Sequence, residues 1–253
     1  MPQTQRTAFP EPAVAWMLGD APLRILDLGS GRGSFAAAML AAGHQVFTLD
    51  RHPRTVSHLA RVLPNRLQVA AQAEALPYAA GSFDLVASAE TLHLFAPGLV
   101  SAEIARVLRP GGRFVAIYNT RDDTVPWVKK LARIMQARDP EAMTGDFGQD
   151  SVLALAETPY FTDLEQKNFR NWMPIDRPGL LQMVSRRPSL AALPDAERED
   201  LLNEVGNLYD SYARVPDPLL LPFQASCWRV TVDHSELSLT DDDDEGLEIP
   251  LGF

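Results

Sequence analysis

Cysteine is almost absent: Cys227 stands alone among 253 residues, so no intrachain disulfide can form. That fits a protein kept in the reducing cytoplasm. No apolar run approaches the roughly 20 residues that a helix needs to span a bilayer. No membrane association is therefore expected. The opening MPQTQRTAFPEPAVAW lacks the charged and then apolar segments of a secretory signal. Bases are scarce beside acids, 23 against 33, and the net charge is −10. Asp241 to Phe253 holds six acids and no base, which leaves the body at −4. Nucleic acid and anionic lipid both demand a stripe of Lys and Arg, so neither is an expected partner. His44, His52, His58, His93 and His234 include no i, i+4 pair, and one cysteine cannot build a thiolate site, so no metal is expected. No G-x-S-x-G elbow is present, which removes a serine hydrolase.

What is present is the rhythm of an α/β protein. Short apolar runs alternate with amphipathic stretches through the first half, the pattern of parallel strands joined by helices. Strands are expected at Arg24–Leu28, Val46–Leu49, Leu67–Ala70, Phe83–Ser88 and, after an Arg109-Pro-Gly-Gly112 turn, Arg113–Asn119. Helices are expected at Ser34–Ala42, Pro53–Leu63 and Leu99–Leu108. Past Asn119 the rhythm changes. Thr124 and Pro126 start a helix with an apolar stripe of Trp127, Leu131, Ile134 and Met135, off which lie Lys129, Lys130 and Arg133. A second begins near Asp195, with Leu201, Leu202, Val205, Leu208, Tyr209 and Tyr212 on one face. Phe161–Trp172 and Phe223–Val232 read as strands. The expectation is an open, doubly wound sheet with extra helices from residues 124–215, and a disordered acidic tail over 241–253. Ligands of such sheets sit beyond the carboxyl ends of the strands, where the strand order reverses.

The loop Gly29-Ser-Gly31-Arg-Gly33 occupies one of those ends. Its glycines permit a tight turn and close approach of backbone to a ligand. A P-loop would need four residues between its glycines followed by Lys and Ser or Thr, and no lysine is present. A dinucleotide fingerprint is G-x-G-x-x-G, whereas here the run is G-x-G-x-G, with Ser34 where the third glycine belongs. Asp50, closing the second strand, suits a ribose, since a carboxylate accepts both hydroxyls as charge-assisted bonds. Asp27, just before the loop, would attract an ammonium group and repel a phosphate. A ribose with an ammonium describes S-adenosylmethionine.

Ile25-Leu-Asp-Leu-Gly-Ser-Gly-Arg-Gly33, Asp50, Ala73-Glu-Ala-Leu-Pro77, Phe83-Asp-Leu-Val86 and Ile104-Ala-Arg-Val-Leu-Arg-Pro-Gly-Gly112 follow one another in the order found in class I S-adenosylmethionine-dependent methyltransferases. The chain resembles that family over about residues 10–120. The resemblance implies a Rossmann-like, seven-stranded, mostly parallel sheet with a helical cap inserted after the fifth strand. It divides the chain into a cofactor-binding core over 1–123, a helical cap and substrate region over 124–215, a last strand within 216–240, and the tail. It also implies that Asp27, Gly29, Ser30, Gly31 and Gly33 hold the methionine part, Asp50 and Arg51 the ribose side, and Gln72, Ala73 and Glu74 the adenine, with Ala89 beside the cofactor. Many members have Asp where Gln72 stands, and a Gln oxygen can still accept from the adenine amine. Arg6–Pro10, Ala89–Phe95 and Asn119–Asp123 with Pro126 and Trp127 further resemble a small-molecule branch that is trans-aconitate and ubiquinone-biosynthesis methyltransferase-like.

Candidate acceptor residues follow. His93 lies just past the fourth strand as a general base for a hydroxyl nucleophile, or as a histidine that packs the loop. Glu90 would contact substrate or the cofactor's ammonium, or stand as a solvated loop residue. After the fifth strand come Asn119, Arg121, whose fork of donors suits a substrate carboxylate or is neutralised at the surface by Asp122 or Asp123, and Trp127, a stacking platform or cap core. The expected function is methyl transfer to oxygen, nitrogen or carbon of a small molecule, such as a hydroxyl or carboxylate. Two alternatives stand beside it: a cofactor-binding protein of the same fold without turnover, and a methyltransferase acting on RNA or protein.

Overall fold

Strand β1 (Arg24–Leu28) is buried from Ile25 to Leu28, as a parallel strand must be when helices cover both faces of its sheet. β2 (Gln45–Asp50) pairs parallel with it, Ile25 opposite Val46 and Leu28 opposite Leu49. β3 (Gln68–Ala70) pairs parallel with β2. On the other side of β1 lie β4 (Phe83–Ala89) and then β5 (Leu108–Arg121), again parallel. With β6 (Phe161–Ile175) and β7 (Leu219–Val232) the order is β3-β2-β1-β4-β5-β7-β6. The expected seven-stranded, mostly parallel sheet is therefore present. The computed structural model describes residues 9–63, 67–122, 124–140, 142–143, 148–214 and 216–235. Arg6 to Ala8, Asp123 and the acidic stretch 241–253 lie outside the described residues.

Contacts divide the chain into two units. The first comprises the described residues of Met1–Ile117, Gly148–Lys167 and Cys227–Phe253. Its helices are α1 (Glu11–Leu18), α2 (Ser34–Ala41), α3 (Pro53–Val62), α4 (Pro97–Val107) and α6 (Gln149–Ala156). Proline stands at the first turn of α3 and α4, where its missing N–H costs nothing. The second unit comprises the described residues of Tyr118–Phe147 and Asn168–Ser226. It holds α5 (Pro126–Gln136), α7 (Arg177–Ser185), α8 (Pro188–Ala191) and α9 (Asp195–Tyr212). Trp127, Leu131 and Met135 of α5 are buried with Leu180 and Val184 of α7 and Leu201, Val205 and Tyr209 of α9 in one core. Among the described residues no helix is long and apolar enough to cross a membrane.

Two local expectations change. Arg109-Pro-Gly-Gly112 is not a turn ahead of β5 but part of it: Phe83 pairs with Leu108 and Leu85 with Arg113, so the four residues form a bulge within a continuous strand. The helices α1 and α6, of eight residues each, carry no side-chain cap to announce them.

The order reverses between β1 and β4, and the loops leaving those strands meet there. Thr91 donates its hydroxyl to the Leu28 carbonyl at 2.9 Å. A Cβ on Gly29 (φ 69) would lie 2.8 Å from the Thr91 Oγ1 and 2.9 Å from its Cβ. Gly29→Ala should therefore lower stability by about 1–3 kcal/mol, from backbone strain and the clash together. Urea unfolding measures it, and an unchanged midpoint would show that the two loops do not pack as described.

Candidate functional site

The loop after β1 is tied to β2 by its own backbone. Gly29 and Ser30 donate their N–H groups to the Leu49 carbonyl at 2.8 and 3.1 Å. Gly33, in left-handed geometry, then opens α2. Asp50 closes β2, where its Oδ1 accepts from the His52 N–H at 2.8 Å and its Oδ2 from the Gly31 N–H at 3.3 Å. Each carboxylate oxygen keeps a further lone pair for a ligand hydroxyl. Beyond these strand ends lies a cavity of about 590 Å³, walled by Gly29 and Gly31, by Asp50 to His52, by Ala71 to Glu74, and by Thr91, Leu94 to Ala96 and Leu99.

Two features at these strand ends bear on what the cavity can hold. Gly31 has φ 51, and a Cβ placed on it would find nothing nearer than the Gly29 carbonyl at 3.9 Å. The space above its backbone is open, as a ligand lying on that backbone requires. Asp27 is 1% exposed, and among the described residues its Oδ2 has no hydrogen-bond partner. Its pKa is pushed up to about 7, chiefly by burial, against which the Ser30 hydroxyl acts, with the negative charge of Asp50 adding to the rise. A buried carboxylate oxygen left unsatisfied is costly, and a cationic ligand group removes that cost. An ammonium for Asp27, a ribose for Asp50 and bare backbone at Gly31 together fit S-adenosylmethionine.

Of the residues expected to meet the cofactor, Gly29, Gly31, Asp50, Arg51, Gln72, Ala73 and Glu74 all line this one cavity. Asp27 and Ser30 are buried, the Ser30 hydroxyl bonding back to the Asp27 carbonyl at 2.8 Å. Ala89 ends β4 half-buried. Glu74 also braces the cavity, because its Oε1 accepts from the Ala96 N–H at 2.9 Å and so joins the two walls. Below it, Glu103 accepts from the Leu76 N–H at 2.6 Å, while Arg106 pairs with Glu103 and donates to the Tyr78 and Leu76 carbonyls. The Ala73–Pro77 segment is thereby clasped onto α4.

The acceptor candidates are dispersed. Glu90 (φ 59) is exposed and donates its N–H to the Ile117 carbonyl at 2.9 Å. His93 is exposed on the 3-10 turn Leu92–Leu94, outside a lining that includes Leu94 and Phe95. Asn119, Arg121 and Trp127 belong to the second unit. There the Asn119 Oδ1 accepts from the Asn171 Nδ2 at 2.8 Å, and Arg121 donates to the Met143 carbonyl at 3.1 Å. Trp127, 5% exposed, is part of the helical core. His52, Thr91 and the apolar Leu94, Phe95 and Leu99 line the cavity without having been singled out by sequence. The Ala89–Phe95 stretch was the signal for part of them.

A methyltransferase-domain family model matches residues 26–116. An uncharacterized methyltransferase of Mycobacterium tuberculosis is 31% identical over 229 residues, 90% of each chain. The demethylmenaquinone methyltransferase of Beutenbergia cavernae is 31% identical over 154 residues, 59% of each. A solved structure from Anaeromyxobacter dehalogenans that carries a methyltransferase assignment superposes with TM-score 0.66 at 19% identity, covering 89% of this chain and 97% of that one.

The raised pKa of Asp27 has a consequence without ligand. Its native form holds a proton up to about pH 7, while the unfolded form loses it near pH 4. The resulting stabilisation is complete below the unfolded value and disappears as pH rises through the folded one. Between pH 8 and pH 5 the ligand-free protein should therefore gain on the order of 2–3 kcal/mol from this residue. Asp27→Asn should lack that component in parallel denaturation series, and identical pH profiles would contradict the assignment.

Proposed function

We propose, because the chain belongs to the class I S-adenosylmethionine-dependent methyltransferases, that it transfers the methyl group of S-adenosylmethionine to a small-molecule acceptor at oxygen, nitrogen or carbon. The observation that carries this is the buried Asp27 Oδ2 with no partner among the described residues, next to a loop whose Gly31 backbone is open. When bound, S-adenosylmethionine supplies a methyl group activated by its sulfonium. Asp27 answers the ammonium charge, and the Gly29–Gly31 backbone bears the methionine part. Asp50 accepts the ribose hydroxyls, each a charge-assisted bond. Gln72 and Ala73 face the adenine, with Leu94 and Phe95 excluding water from that wall. Rate then comes mainly from holding the acceptor atom in line, since proximity and orientation can supply several kcal/mol of the barrier.

A small acceptor is supported by the net charge of −10, which lacks the basic excess that RNA would require. The relative named for demethylmenaquinone is in keeping with it. For a hydroxyl acceptor, His93 is the proposed base, standing on the turn that supplies Leu94 to the cavity wall. A carboxylate acceptor needs none.

S-adenosylmethionine or its demethylated product, at a hundredfold excess over its dissociation constant, should stabilise the fold by roughly 2.7 kcal/mol. For a chain of this size that is a rise in melting temperature of about 5–10 °C. Gly31→Val should abolish the rise, and Asp50→Ala should weaken binding by about 1.5–3 kcal/mol. No rise in the unmodified protein would refute the donor, and an unaffected Gly31→Val would move the site elsewhere. Incubation of a metabolite extract with isotopically labelled cofactor should then yield one labelled small product. His93→Ala should slow its formation with cofactor affinity intact.

A further inference from the structure

A second cavity, of about 620 Å³, has its described lining within the helical unit, and among the described residues that polar lining is dominated by cations: Arg121, Lys129 and Arg133, against the carboxylate of Asp122. We propose that this cavity binds a small, multiply charged anion, phosphoryl or polycarboxylate. Lys129, Arg133 and Gln136 follow one another at i, i+4 and i+7 on α5, which gathers them on one face of the helix. That face is opposite in character to the one carrying Trp127, Leu131 and Met135 into the core. Amphipathicity alone would place polar residues there. It does not require three cations around one concavity in a chain whose net charge is −10.

The acid in the cavity is already engaged. The Oδ1 of Asp122 accepts from the Thr124 N–H at 3.0 Å and from its hydroxyl at 2.5 Å, and the positive charge of Arg170 acts on the same carboxylate. Among the described residues, neither Lys129 nor Arg133 has a carboxylate within ion-pair distance. Like charges crowded in a concavity raise its potential, and an anion of two or more charges relieves that repulsion. The Arg133 guanidinium offers a fork of paired donors to carboxylate or phosphoryl oxygens, the Lys129 ammonium a point charge, Arg121 a neighbouring positive charge, and Gln136 and Gln224 neutral donors. The volume suits a small molecule.

Anion binding here asks nothing of Asp27 or the glycine loop, so it can succeed or fail independently of methyl transfer. Calorimetric titration of the full chain with inorganic pyrophosphate and, separately, with citrate, near physiological ionic strength, is the test. We expect saturable one-to-one binding of at least one of them, weakened about tenfold or more by Lys129→Ala with Arg133→Ala. Both side chains are exposed, so the double variant should keep its melting temperature and its affinity for S-adenosylhomocysteine. Which anion binds distinguishes a phosphoryl ligand from a carboxylate one. Binding of neither, or binding that the double substitution leaves unchanged, would overturn the proposal.

Discussion

The carboxylate of Asp27 is buried at the carboxyl end of a central strand with one oxygen unanswered by any group among the described residues. Nothing in the packing requires an acid there, and the neighbouring positions of β1 are plain hydrophobes. Such a residue costs the ligand-free fold stability and returns it when a cation arrives. The glycine loop, Asp50 and the reversal of strand order all converge on the same spot. Each is intelligible as support for one bound molecule with a positive end and a sugar.

Support here means fixing loops that would otherwise move. The β1 loop hangs from the Leu49 carbonyl, and Thr91 closes the gap between β1 and β4 through the Leu28 carbonyl. Glu74 holds Ala96, while the Glu103–Arg106 pair holds Leu76 and Tyr78. This pair lowers the pKa of Glu103 and raises that of Arg106, each group's principal cause being their mutual hydrogen bond. The clasp therefore persists above the ordinary carboxylate range and weakens as acid protonates Glu103. Walls set by backbone and buried bonds suit a reaction that depends on alignment.

The residues that line the cavity at the ends of β1 and β2 were legible in the sequence because their signals are local. A strand, a glycine loop and an acid at the next strand's end fall within some 25 residues, and their spacing alone rejects phosphate ligands. The walls were less legible. Glu74 reads from the sequence as a ligand contact, and nothing local announces its bond to Ala96, 22 residues away. Arg109–Gly112 carries every mark of a turn, yet Leu108 and Arg113 pair on either side of it. Trp127 could serve a stacking face or a core, and only burial separates the two. The cationic cavity was invisible because Arg121 and Gln224 lie about a hundred residues apart in sequence, on β5 and β7.

The most direct measurement is the titration of the Asp27 side chain itself, followed by carbon NMR with selectively labelled aspartate and assigned through Asp27→Asn. Without ligand its carboxyl carbon should titrate near pH 7. With saturating S-adenosylhomocysteine, whose ammonium group would pair with it, the midpoint should fall well below that value. A midpoint that the ligand leaves unchanged would mean that Asp27 does not meet the ammonium, and the account of this site would be wrong.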